Sequence, residues 1–364
     1  MKTNKLFLSL LLTATTVGLF TSCNSADEKQ ADVEISTGLF VLNSGGYQKN
    51  NASLTYYNFA DSTTTVDAFT AKNNRGLGDT GQDILIYGSK IYISVYDSKL
   101  IEVLDAATGI SLKSIILLNE SGTARSPRSL ASYNGKIYVS LYDGHVSQID
   151  TATLSVEKTI TVGANPDGMA IAGNKLYVAN SGVMATVNDS TVSVINLTSF
   201  SEEKKIKVII DPTIVKTDSY GDVYVISNGN YGDIPYTLQR IEAGTGKVTP
   251  ISVDSNFIPV NFTIVGDYAY IYSIVYKNGV FDNKSYSIYD VKNETMYKRN
   301  FISSDPITLT PYCIDVDPAT NYVYIGETDY VNTGKMYCFD QNGILKYTFP
   351  TGVNPIKTVF VTKK

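Results

Sequence analysis

Tryptophan is absent from this 364-residue chain, histidine occurs once (His145), and there are three cysteines. A lone histidine rules out a metal site built on several imidazoles, and a histidine-dependent catalytic relay would have to use this one. Basic runs are missing too. Thirty Lys and Arg stand against 35 Asp and Glu, a formal charge of −5, which argues against nucleic acid as a partner. No glycine-rich phosphate loop leads from a strand into a helix. Gly76-Leu77-Gly78 falls between strand patterns, so it carries little weight. No extended amphipathic helix pattern appears after residue 36. With no triad, carboxylate cluster or metal set in view, the chain reads as a binding protein rather than an enzyme, with neither cofactor nor metal.

Lys2 and Lys5 precede a 15-residue apolar run, Leu6–Phe20. That is shorter than the roughly 20 residues needed to span a bilayer, and it reads as a signal peptide. The run ends in Leu19-Phe20-Thr21-Ser22-Cys23, which resembles a bacterial lipobox, with Thr21-Ser22 in place of the commoner Ala-Gly. The resemblance implies cleavage before Cys23 and lipidation of its thiol. Asn24–Lys29 is similar to the acidic export signal of Bacteroidetes surface lipoproteins. That likeness implies an outer-membrane, lipid-anchored protein facing the cell exterior. The expected organisation is residues 1–22 as signal, 23–37 as tether and 38–364 as one folded domain. Cleavage removes Lys2 and Lys5 and no acidic residue, so the formal charge moves from −5 to −7.

Tyrosine is abundant, at 27 residues, and the apolar runs are rich in β-branched and aromatic residues, which favour strands. An aromatic residue recurs two or three positions after a tight turn: Phe40, Tyr92, Tyr138, Tyr177, Tyr224, Tyr270 and Tyr324, at spacings of 52, 46, 39, 47, 46 and 54. A period near 40–50 residues with four short strands per unit marks a β-propeller. Turns such as Gly88-Ser89 and Gly173-Asn174 supply the positive φ that hairpins need. Pro127, Pro166, Pro212, Pro259 and Pro311 open the first strand of their copies. Short acceptors, among them Asp105 and Asp150, start the turn after the third strand.

Seven aromatic positions predict an all-β, seven-bladed propeller. The chain enters on a second strand at Gly38–Asn43, and Asn354–Val361 has first-strand character. The C-terminal strand is therefore expected to complete the first blade and remove an open edge. An eighth blade hidden in the 40–92 or 270–324 interval is the alternative. Cys313 and Cys338 fall on the first and third strands of one blade, about 9–10 Å apart by strand spacing. That is too far for a disulfide, so both are expected as free, buried thiols.

In this fold the loops between strands two and three share a face with the inter-blade loops, and that face is the default binding surface. Its candidate ligand-binding residues are Asn43, Tyr47, Arg75, Asp79, Tyr96, Arg128, Tyr142, His145, Asn165, Asn180, Asn230, Tyr231, Tyr276 and Tyr330. Tyrosine offers a rigid apolar face with a polar tip, and asparagine both donates and accepts. Such a surface suits an amphipathic, amide-rich or sugar-like ligand.

The repeat resembles the YncE-like propeller family. Further segments are similar to the BtuG-type surface lipoproteins of gut Bacteroidetes: Val41-Leu42-Asn43, Asn51–Leu54, Asn74–Thr80, Leu141–Gly144, Val178–Gly182 and Tyr224–Asp233. That resemblance implies capture of cobalamin (vitamin B12) as a transported ligand and its delivery to a BtuB-like, TonB-dependent outer-membrane transporter. Arg75, Arg125 or Arg128 would meet the cobalamin phosphate. A glycan- or protein-binding propeller of another uptake system remains open, as does a propeller lyase, lactonase or other hydrolase. Asp61-Ser62-Thr63, Asp150-Thr151-Ala152 and Asp189-Ser190-Thr191 resemble the Bacteroidetes O-glycosylation motif.

Overall fold

The computed structural model describes residues 35–183, 188–251, 257–277 and 280–363, apart from the side chains at 276–277 and 280–282. The signal run, Cys23 and the tether up to residue 34 lie outside the described residues. The described strands form seven four-stranded antiparallel sheets, so the propeller has seven blades. Blade 2 shows the pattern, running from the axis outward as Gly81–Tyr87, Lys90–Val95, Leu100–Asp105 and Ser111–Ile115. The first strands of the other blades are Pro127–Tyr133, Pro166–Ala172, Pro212–Thr217, Pro259–Val265, Thr310–Val316 and Pro355–Lys363. Proline begins five of these six, and Pro311 is second in the remaining one. Each first strand packs against the first strands of both neighbouring blades, which closes the ring around an axial channel.

Closure works as expected. Pro355–Lys363 pairs along Ile35–Asn43, placing the last strand innermost in the first blade. The pairing starts earlier than the expected Gly38, because Ile35 and Ser36 face Lys363 and Thr362. The Ser36 hydroxyl also donates to Asp317 of blade 7 at 2.6 Å. No eighth blade fills the long intervals. The first holds a six-residue helix, Ala68–Asn73, which the sequence pattern did not reveal, capped by Asp67 and by Asn74 at φ 54°. The second is taken up by a long hairpin, Tyr268–Lys277 with Val280–Asp290.

The recurrent aromatics wedge between blades. Tyr92 packs with Leu130 and Ile137 of blade 3, and Tyr138 with Leu176 of blade 4. Tyr224 meets Phe262 and Ile271 of blade 6, and Tyr324 meets Leu39 and Tyr57 of blade 1. These four are at most 1% exposed. Each contributes about 1.5–3 kcal/mol by burial alone, which explains why the position repeats. Asp105 and Asp150 accept backbone N–H bonds from Thr108 and Thr153, so these acids are turn formers as expected. Cys313 and Cys338 are free and buried. Of the three glycosylation-like triplets, Ser62 is exposed, the Thr151 hydroxyl donates to Gly135 O, and Ser190 Oγ accepts from Lys207.

Blades 4 and 5 approach most tightly at Gly168, where an added Cβ would stand 2.3 Å from Thr213 O and 2.9 Å from Val215 N. Both obstacles are backbone, so neither can rotate away. Gly168→Ala is expected to destabilise the ring by about 1–3 kcal/mol, the usual cost of overpacking. Urea unfolding measures it, and a wild-type midpoint would contradict the close approach.

Candidate functional site at the channel mouth

One backbone hydrogen bond recurs in six blades. In five of them the first residue after the second strand, and in blade 6 Ile274 within its longer second strand, donates to the carbonyl just before the first strand. The pairs are Ser44–Asn354, Tyr96–Thr80, Tyr142–Ser126, Ser181–Asn165, Asn228–Asp211 and Ile274–Ile258. The two loop classes are thus tied together on one face, as the strand directions required. On the opposite face Ala106 N bonds Ser89 O and Leu197 N bonds Asn174 O, pairing the other two classes.

Every first strand carries a register shift just inside this face, so the residue after the strand opening is extra to the ladder. A bulge of this kind re-aims side chains. Plain alternation would send the first and second residues past the opening to opposite sides. Here both border the channel: Gln82 with Asp83, Arg128 with Ser129, Asp167 with Gly168, Thr213 with Ile214, Tyr312 with Cys313, and Ile356 with Lys357, although Ile214, Cys313 and Ile356 also pack against the inter-blade clusters. Together with Lys216 and Asp315 they enclose about 380 Å³.

Four of the charged residues at the mouth pair with one another, Arg128 with Asp167 and Lys357 with Asp83. Arg128 is bidentate on Asp167, with Nε at 3.2 Å from Oδ1 and Nη2 bonded to Oδ2. Its guanidinium lies 5.6 Å from the Tyr96 ring and 5.1 Å from the Tyr142 ring, and those rings meet edge to face at 5.6 Å. Asn165, at φ 46°, donates to Tyr142 O at 3.0 Å and holds this cluster from above. Deeper in, Asp83 accepts from Lys357, from Leu130 N at 2.7 Å and from the Ser129 hydroxyl at 3.1 Å, joining three blades. Asp315 accepts Thr358 N at 2.7 Å. Burial pushes the Asp315 carboxyl up and the Lys216 ammonium down from their ordinary pKa values. The sequence had suggested no gathering of carboxylates, yet the ring brings Asp83, Asp167 and Asp315 to one channel. Among the described residues no three His, Cys, Asp or Glu side chains are placed to hold a metal ion.

Of the expected site residues, Tyr96, Arg128, Tyr142 and Asn165 converge at the mouth. Asn43 and Asn180 do not reach the surface, which corrects their assignment as ligand contacts. Both are 0% exposed at the ends of second strands. Asn43 donates to Ser53 Oγ and Thr55 Oγ1, and Asn180 to Thr191 Oγ1 and Ser193 Oγ. A glycine is stacked on each amide. A Cβ on Gly163 would fall 2.2 Å from Asn180 Cγ, and one on Gly352 would fall 2.8 Å from Asn43 Cγ. The signal was legible as a repeated Gly-x-Asn-Pro, at Gly163–Pro166 and Gly352–Pro355.

Arg75 is also turned away from the mouth, lying over the Phe69 ring at 4.8 Å and pairing with buried Glu102 at 2.7 Å beside the outer strand of blade 2. Asp79 braces the loop carrying exposed Tyr47, accepting from Gln48 N and Asn50 N. His145 Nδ1 lies 3.1 Å from Asp143 Oδ1, and Asp143 pairs with Arg125 at 2.6 Å. Asn230 knots its own loop by accepting from Gly232 N and Ile234 N. Tyr231 and Tyr330 border a second cavity beside the channel. The side chain of Tyr276 lies outside the described residues. The residues that sequence reasoning missed are Asp83, Lys216, Tyr312, Asp315 and Lys357. A charged or aromatic residue inside an otherwise apolar first strand was the available signal.

Asp211 lies fully buried under this face. Its Oδ2 accepts from Asn228 Nδ2 at 3.2 Å and the Tyr231 hydroxyl at 3.4 Å, while Oδ1 has no partner among the described residues. Burial raises its pKa above the ordinary aspartate value. A carboxyl with a raised folded-state pKa favours the fold while protonated, and stability is lost as pH rises through that pKa. Asp211→Asn is therefore expected to be more stable than wild type near neutral pH, with the gain shrinking in acid. Chemical denaturation across that range measures the difference, and a pH-independent difference would contradict it.

No curated protein matches the sequence. Solved structures match the fold. A hydrazine synthase chain of Kuenenia stuttgartiensis is 21% identical, with 74% of this chain and 85% of that one covered and a TM-score of 0.60. A proposed 6-phosphogluconolactonase of Bacteroides uniformis is 13% identical over 89% of this chain and 100% of that one, with a TM-score of 0.63. Its counterpart from Bacteroides fragilis is 14% identical over 89% and 98%, with a TM-score of 0.61. At these identities the likeness concerns the propeller fold. A family model described as a domain of unknown function matches residues 37–359. That span takes in all seven blades, and the chain belongs to this family, DUF5074.

Proposed function

We propose that the protein is an outer-membrane, lipid-anchored surface lipoprotein that captures a corrinoid, cobalamin in the first instance, on its channel face. It then passes the ligand to a TonB-dependent, BtuB-like transporter. The observation that carries the reading is the pre-formed mouth, where tyrosine faces, side-chain amides and mutually paired charges stand on one rigid ring. A corrin rim bears many amides, which match such donors and acceptors, and a rigid site keeps the ordering cost of binding low. The segment likeness to BtuG-type lipoproteins points the same way.

One expectation changes. Arg75, Arg125 and Arg128 each already pair with a carboxylate. In this reading the ligand phosphate therefore has no dedicated guanidinium, and affinity comes from aromatic and amide contacts. The protein acts by binding and release, without turnover. His145 is engaged by Asp143, and the acids at the mouth are engaged by Arg128 and Lys357.

Gel filtration of the purified protein mixed with cyanocobalamin should yield a coloured protein peak. A colourless peak at micromolar concentration would overturn the corrinoid reading. In the native host, Cys23→Ala should release the protein from the outer membrane. Retention of that variant in the membrane fraction would remove the lipid anchor from the account.

A further inference from the structure

Beside the charged mouth lies a cavity of about 500 Å³ bordered by blades 5, 6 and 7. Five tyrosines line it: Tyr231, Tyr236, Tyr272, Tyr312 and Tyr330. Tyr231 and Tyr236 meet edge to face at 6.0 Å, and Tyr312 and Tyr330 at 5.7 Å. Edge-to-face packing fixes the orientation of each pair. Tyr231 and Tyr330 remain 70% and 51% exposed at the rim.

Among the described residues no charged side chain borders this cavity, whereas the adjoining channel holds Asp83, Arg128, Asp167, Lys216, Asp315 and Lys357. Its walls include Ile258, Val260 and Ile274. A sugar pressed onto these aliphatic groups would leave hydroxyls unpaired, at a cost of about 1–3 kcal/mol each. A flat aromatic ring with at most one N–H has far fewer polar groups to leave unpaired and can pack against the tyrosine rings. Asp211 sets the rim, because its Oδ2 holds both Asn228 and Tyr231, two of the lining residues.

We infer that this cavity is a binding site for a flat, uncharged aromatic ring system of about bicyclic size. Tyr312 borders both spaces, so a ligand with one aromatic end and one polar end can occupy cavity and channel together. The inference goes beyond the corrinoid reading and stands on the composition of the cavity.

Indole is the probe, a neutral planar bicycle with one N–H donor, and methyl glucoside is the competitor class. Saturation-transfer NMR and equilibrium dialysis on the purified protein should show indole bound and methyl glucoside unbound. Tyr231→Ala and Tyr330→Ala alter exposed rim residues, and each should weaken indole by about five-fold, the scale of one aromatic contact. Lys175→Ala, on the opposite face, should leave indole binding unchanged. Absence of indole binding, indifference to both tyrosine variants, or preference for the glucoside would overturn the inference. Cyanocobalamin binding measured in parallel separates the two readings. Cobalamin bound without indole refutes only the cavity, and indole bound without cobalamin refutes only the corrinoid.

Discussion

In a regular strand the two residues that follow an opening proline face opposite sides of the sheet. The bulge at the head of every innermost strand breaks that alternation, and the channel mouth depends on it. Arg128 and Ser129 both reach the channel, the first to pair with Asp167 and the second to bond Asp83. Without the bulge Arg128 or Ser129 would turn into the packing between blades. A buried guanidinium there would need a partner that the apolar inter-blade clusters do not supply. Ring closure by Pro355–Lys363 completes the same belt, since Lys357 bonds Asp83 and Thr358 N bonds Asp315.

The charges on the axis serve the ring before they serve a ligand. Asp83 ties blades 1, 2 and 3 together through Lys357, Ser129 and Leu130, and Arg128–Asp167 ties blades 3 and 4. Paired in this way, they present a polar but locally neutral wall. The tyrosine cavity next to it is lined by no charged side chain among the described residues, so one face carries two chemically distinct compartments that share Tyr312.

One residue type does two different jobs here. Asn165 and Asn354 adopt positive φ before a first strand and shape the loop, whereas Asn43 and Asn180 are buried pins that satisfy hydroxyls inside a blade. Composition cannot separate these roles, because both place asparagine near a strand end. Spacing can, because the buried pins pair with a Gly-x-Asn-Pro segment whose glycine lies flat on the amide. Arginine divides similarly. Arg128 lies over tyrosines at the mouth, while Arg75 is drawn to Glu102 on the outer flank.

Local chemistry settled much of the architecture. Aromatic wedges, Gly and Asn turns and strand-opening prolines each act within a few residues, so their repetition made the seven blades, the closing strand and the face shared by the two loop classes legible from the chain alone. The helix at Ala68–Asn73 was not legible, because six residues are too short for a helical period to stand out. The site belongs to tertiary structure. Asp83, Lys216, Asp315 and Lys357 are far apart in sequence and meet only because first strands of different blades converge on one axis. Which tyrosines border a cavity and which fill the core was decided by the bulges and by loop-to-loop hydrogen bonds. Those features depend on neighbouring strands rather than on any stretch of the chain read by itself.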